Sequence, residues 1–216
     1  MKQSIRHHTA GRFGKIAILF MTMLMVACQH TQPMQKSMGR VVAKNQIAHT
    51  YTQLAEQYLQ LGRIDDAKRQ LDLAIQASDR HAAAYRTLAR VYQTTNEHEH
   101  NKLAKTYYQK ALSLDDRDMQ THYDYGVYLT GNQEYSLALK HFERAAREIG
   151  FDGRLAAIEN IAYIRNILWE NLPTKTNLDL AVSAFNRAVK AGSLNADLLT
   201  QALYLNIEKD KQTQDK

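Results

Sequence analysis

Proline and glycine are scarce, with two and nine residues in a chain of 216. That is little turn chemistry for an all-β fold, and it suits long helices joined by short loops. There is one cysteine, Cys28, so no intramolecular disulfide can form and the fold needs no oxidation step. Residues 1–27 hold Lys2, Arg6, Arg12 and Lys15 and no acidic residue. Without these four, 24 basic and 22 acidic side chains remain, so the net charge of +6 is in part a property of the N-terminal segment. No Lys/Arg cluster interleaved with aromatics occurs, which argues against nucleic acid as a partner. No Gly-rich phosphate loop, G-x-S-x-G or H-E-x-x-H string is present, so the reading is a binding protein without a small-molecule substrate, not an enzyme. With 44% apolar and 23% charged residues the composition is that of an ordinary folded protein.

One apolar run stands out. Ile16–Ala27 follows basic residues and is too short for a transmembrane helix, which needs about 20 residues. It fits the apolar region of a secretory signal peptide over residues 1–27. The run ends Met25-Val26-Ala27-Cys28, which resembles a bacterial lipobox, where the cysteine thiol is acylated and becomes residue one. Cys28 is therefore the expected lipidation site, carrying diacylglycerol and N-acyl (palmitate-type) chains and no other cofactor. The alternative is an ordinary signal peptide with an incidental cysteine. Gln29 follows, where inner-membrane lipoproteins typically carry Asp, so the expected location is the periplasmic face of the outer membrane. Residues 28–46 are mostly polar, include Pro33, and read as a flexible tether.

Beyond the tether the chain repeats itself. Residues 48–81 place Tyr51, Leu54, Ala55, Tyr58, Gly62, Ala67, Leu71 and Ala74 in a large, large, small, aromatic, turn, small, large, small order. Residues 82–118 repeat it with Tyr85, Leu88, Ala89 and Tyr92, then Ala104, Tyr108 and Ala111. Residues 119–152 repeat it again with His122, Tyr125, Gly126 and Leu129, then Ala138, Phe142 and Ala145. Two antiparallel helices approach closely where side chains are small, and large residues three or four positions away fill the space beside them. This is the tetratricopeptide pattern. The expected fold is all-α, a right-handed solenoid of tetratricopeptide helix-turn-helix repeats over residues 47–209. An irregular fourth repeat spans 155–193, with Ile161 and Ala162, then Ala181, Phe185 and Ala188. Its midsection LWENLPTKTNL carries extra residues in an irregular loop, with Pro173 ending a lengthened helix. A capping helix with a polar outer face is expected at 196–208, followed by a frayed tail at 210–216.

Pattern residues are structural, so candidate contacts are sought elsewhere. In such a solenoid the exposed positions of the first helices line a groove. By register these are Thr52, Glu56 and Leu59, then Arg86, Arg90 and Gln93, then Tyr123, Val127 and Thr130. They lack the Lys/Asn set that clamps a terminal carboxylate, so an extended or helical segment held by mixed contacts is expected. Trp169 reads as core, or else as a second contact point. Glu97, His98, Glu99 and His100 alternate, but residues i and i+2 do not share a helix face. They fall in the widened turn of the second repeat and read as solvated loop, with no metal. Asp65-Asp66 and Asp115-Asp116 stand at turns and helix starts, where carboxylates satisfy free backbone N–H groups.

Lipobox, polar tether, then repeats resembles the type IV pilus biogenesis and stability lipoproteins, the PilF/PilW family of secretin pilotins. YTQLAEQYLQLGRIDDAKRQLDLAI, AAAYRTLARVYQ and HYDYGVYLTGNQEYSLALKHFERA resemble that family's first three repeats, and IENIAYI its fourth. The resemblance covers about residues 48–190. It implies an outer-membrane lipoprotein that binds the pilus secretin subunit and promotes its localisation and multimerisation, for pilus biogenesis and twitching motility. Cys28 matches the family's acylated cysteine. The alternative from another class is a lipid-anchored adaptor for outer-membrane barrel assembly or for recruiting cell-wall hydrolases.

Overall fold

A computed structural model describes residues 32–94 and 98–214. Cys28 and Glu97 lie outside the described residues. Among those described there are nine helices: α1 (Gln32–Gln60), α2 (Ile64–Ala77), α3 (Ala82–Thr94), α4 (His98–Leu114), α5 (Met119–Gly131), α6 (Tyr135–Arg147), α7 (Arg154–Asn171), α8 (Lys175–Lys190) and α9 (Ala196–Gln214). The chain divides at Ile47/Ala48. In the first unit the described part is helical, and residues 38–47 are exposed.

In the second unit, neighbouring helices pack as successive hairpins: α3 on α4, α5 on α6, α7 on α8, with α6 on α7 and α8 on α9 linking them. The fold is an all-α tetratricopeptide solenoid. Small residues let the helices close: Ala55, Ala67, Ala89, Ala104, Ala138, Ala162 and Ala181 are fully buried. Ala48, Ala55, Ala67, Leu71, Ala74, Ala84, Leu88 and Val91 form one buried cluster, and a larger one runs from Ala89 to Leu205. Gly126 sits where no side chain fits, because a Cβ there would lie 2.8 Å from the buried Phe142 ring.

Three turns share one solution. Gly62, Gln133 and Gly192 all have positive φ (71°, 59° and 95°). In each, that residue's N–H donates three residues back and the next N–H donates five residues back: Arg63 to Tyr58, Glu134 to Leu129, Ser193 to Ala188. This is the helix-ending motif that glycine adopts at least cost. Gln133 adopts it against its Cβ, at a cost of about 1–2 kcal/mol.

The structure corrects several expectations. The segment expected to be a flexible tether is helical from Gln32, and Pro33 does not interrupt it because it falls in the first turn, where no N–H is needed. His98–His100 lie in the first turn of α4 and not in a loop, and the His100 ring meets Tyr92 edge-on at 5.2 Å. The irregular loop at LWENLPTKTNL shrinks to Leu172–Thr174, because the extra residues lengthen α7 to Asn171. Residues 210–214, expected beyond the capping helix, are helical and continue α9. The outer face of α9 is not polar: Leu199, Leu203, Tyr204 and Ile207 are exposed.

Candidate functional site

The predicted groove residues come from α1, α3 and α5, and they divide into three sets. Leu59, Arg90, Gln93, Tyr123 and Val127 line one cleft of about 550 Å³, together with Gln60, Thr94, Tyr108 and Asp124. Glu56 and Arg86 belong to an ion network described below. Thr52 and Thr130 are outside the cleft lining. Thr52 is buried, which corrects its placement on an exposed face: its hydroxyl donates to Ala48 O at 2.8 Å, back along its own helix. Thr130 does the same to Gly126 O at 2.9 Å.

The cleft floor is Tyr108, a fully buried ring stacked on Tyr125 at 5.2 Å. Burial first of all pushes its pKa up, so it stays a neutral donor. Its hydroxyl donates to Gln93 Oε1 at 2.9 Å, which leaves the Gln93 amide N–H groups for another acceptor. Arg90 stands beside Asp124, Nε to Oδ2 4.0 Å, with its side chain part-exposed. Leu59, Val127 and the half-buried Tyr123 supply apolar wall.

Beneath the cleft, Arg86 ties three helices together. Nη2 donates to Glu56 Oε1 on α1 at 2.9 Å, and Nη1 donates to Asp118 Oδ2 at the start of α5 at 3.0 Å. Nε lies 3.7 Å from Asp124 Oδ2. The Arg86 side chain is only 14% exposed. Burial draws its pKa down, but Asp118, Glu56 and Asp124 outweigh burial and the net shift is upward. Asp118 also caps α5, accepting from Gln120 N at 3.0 Å. Asp124 is pushed above the usual carboxylate range by burial, against the Gln120 amide, Arg90 and Arg86. Reading the sequence assigns Asp124 and Asp118 no role and Tyr108 a packing role alone, whereas Tyr108 also floors the cleft. The available signal was repeat arithmetic: Glu56 is the ninth residue of the first repeat and Arg86 the fifth of the second, positions that stacking brings together.

His122 does pack, as expected, but as half of a histidine pair. Its Nε2 lies 3.0 Å from Asp116 O and must donate to that carbonyl, so its Nδ1 accepts from His141 Nδ1 at 2.9 Å. Protonation of both rings would set two N–H groups head-on across this contact. Both pKa values are lowered, His122 chiefly by burial and His141 to about 4 by burial, His122 and Lys140. Trp169 is half-buried against the larger core with its ring 6.3 Å from Tyr204. Among the described residues no group of three or more His, Cys, Asp or Glu side chains gathers as a metal site would require. The cleft offers donors over apolar walls, an arrangement suited to holding a polypeptide segment.

The tetratricopeptide repeat family matches residues 48–81. Over 132 residues the chain is 31% identical to the type IV pilus assembly protein PilF of Pseudomonas aeruginosa, a stretch that is 61% of this chain and 50% of that protein. The chain thus spans half the length of this curated relative. A solved structure of Pseudomonas aeruginosa PilF superposes with a TM-score of 0.67 at 23% identity, over 78% of this chain and 72% of that one. The crystal structure of PilW, a widely conserved type IV pilus biogenesis factor, gives a TM-score of 0.60 at 18% identity, over 79% of each chain. The two structural likenesses speak for the fold.

Proposed function

We propose that this chain is a type IV pilus biogenesis lipoprotein of the PilF/PilW kind, anchored through acylated Cys28 to the periplasmic face of the outer membrane. It binds the pilus secretin subunit in the cleft lined by Leu59, Arg90, Gln93, Tyr123 and Val127, and promotes secretin localisation and multimerisation. The observation that carries the reading is the 31% identity over 132 residues to a pilus assembly protein. The lipobox-like MVAC string supports the anchor, and the donor-bearing cleft with apolar walls suits a mixed polar and apolar segment. The chain acts as a scaffold and makes or breaks no bond.

The physical rationale is concentration. Several acyl chains, each contributing about 0.8 kcal/mol per buried CH₂, hold the scaffold at the membrane. Capture there turns a three-dimensional search by the next subunit into a local one, at an effective concentration set by the anchor. Deleting the gene tests this. Secretin multimers should be depleted from the outer membrane and twitching lost, with both restored by the wild-type gene. Unchanged multimers in the deletion strain would contradict the proposal.

A further inference from the structure

A second cleft, of about 510 Å³, lies between α6 and α7 and is lined by Ser136, Leu139, Lys140, Glu143, Arg144, Arg147 and Arg165. Lys140, Arg144 and Arg147 are spaced i, i+4, i+7 and so share one face of α6. Arg165 comes from α7, which packs on α6. The one carboxylate in the lining is already engaged: Glu143 accepts from Arg187 Nη1 at 2.9 and 3.0 Å. Among the described residues the four cations themselves have no carboxylate partner.

Arg144 and Arg147 have a second rationale, because cations in the last turn of a helix favour its C-terminal dipole. That does not account for Lys140, two turns earlier, or for Arg165 on another helix. Like charges at these spacings repel, and an anion bound among them would relieve that repulsion. Leu139 is the one apolar side chain in the lining, which gives a peptide's apolar side chains little to bind. Its volume falls in the range of small-ligand sites, in a cleft open to solvent on the side of Lys140, Arg144 and Arg147. Guanidinium groups match phosphate oxygens through paired N–H donors, and the Ser136 hydroxyl adds a donor.

We propose that this cleft binds a ligand carrying two or more closely spaced phosphate groups, held by Lys140, Arg144, Arg147 and Arg165. A single phosphate would leave about half of the cationic charge uncompensated. The shared chemistry has two sources, a free polyphosphate-type anion or the headgroup of a phosphorylated lipid. The site is separate from the Arg90–Tyr123 cleft and does not depend on the function proposed above.

The test uses the full chain purified in neutral detergent, with inorganic tripolyphosphate titrated by calorimetry. Saturable binding with a Kd below about 1 mM at low salt is expected. The double substitution Arg144→Gln/Arg165→Gln should weaken it at least about tenfold, whereas Arg117→Gln/Lys190→Gln, which removes equal charge elsewhere, should change it less than about twofold. Arg147→Gln alone should weaken binding in the same direction, and thermal melts check that each variant is folded. Adding cardiolipin to the micelles separates the sources: loss of tripolyphosphate binding identifies a lipid headgroup as occupant, and unchanged binding a free anion. Three results would overturn the proposal: no saturable binding, equal weakening in the control variant, or tighter binding of hexaglutamate than of tripolyphosphate.

Discussion

Replacing Arg86 by methionine tests whether the buried ion network holds the first three repeats together. Methionine keeps much of the apolar stem but removes the guanidinium and its charge. Glu56 of α1, Asp118 at the start of α5 and Asp124 of α5 would then lose their shared cation, leaving Arg90, 4.0 Å from Asp124, beside them. Removing one partner of a buried ion pair costs about 3–5 kcal/mol, because the opposite charges stay buried and uncompensated. Set against a total stability of about 5–15 kcal/mol, this is a large fraction. The pH dependence separates charge from packing. Burial already raises Asp124, and Arg86 is one of the influences opposing that rise, so its loss lets the carboxylate titrate higher still. A carboxyl whose folded pKa lies above its unfolded value takes up its proton first in the folded state. Acidification through that range therefore stabilises the folded variant. Urea unfolding followed by circular dichroism should show R86M about 3–5 kcal/mol less stable than wild type at about pH 7.5, with the deficit at least about 1 kcal/mol smaller at about pH 5.5. Glu56→Gln in the R86M background should recover part of the loss. A deficit under about 1 kcal/mol, or one equal at both pH values, would refute the network as the source of stability.

Three further substitutions probe particular residues. Gly126→Ala puts a methyl group 2.8 Å from the buried Phe142 ring, so overpacking should outweigh the helix-propensity gain and lower stability by about 1–2 kcal/mol, while Gly131→Ala, in open space, should be neutral or stabilising in the same melts. Gln133→Gly relieves a left-handed backbone and should raise stability by about 0.5–1 kcal/mol in urea titrations, with no gain if the strain argument is wrong. His141 is held neutral in the fold, at about 4 against an ordinary 6.5, so the unfolded chain binds the proton first and stability falls as pH drops through that window. His141→Phe should flatten that fall, at a cost of about 1 kcal/mol near neutrality from the lost hydrogen bond to His122.

The repeat architecture was legible because it depends on local spacing. Ala55 and Ala67, or Gly126 and Phe142, are pattern residues within one helix pair, and Gly62 marks its own turn. The network around Arg86 was not legible in the same way. Its partners Glu56 and Asp118 are 30 and 32 residues away and meet only when successive repeats stack. Thr52 was misplaced because a small polar residue at a groove position looks exposed, whereas its hydroxyl can return to its own helix backbone and be buried. The α9 stripe of Leu199, Leu203 and Ile207 was overlooked because the same spacing also describes a core face. The helix from Gln32 was overlooked because polar composition alone does not separate a solvated helix from a linker.

The central claim is that the Leu59–Arg90–Tyr123–Val127 cleft holds the pilus secretin. The most direct measurement is capture from detergent-solubilised envelopes, with the purified chain and its Val127→Glu variant as parallel baits and mass spectrometry as readout. Val127 is 38% exposed, so the fold tolerates the change, but a carboxylate buried under a bound segment should weaken capture at least about tenfold. The account predicts secretin among the strongest specific partners of the wild-type bait and its loss from the variant. Secretin absent from both baits, with barrel-assembly proteins or cell-wall hydrolases in its place, or secretin captured equally by both, would contradict it.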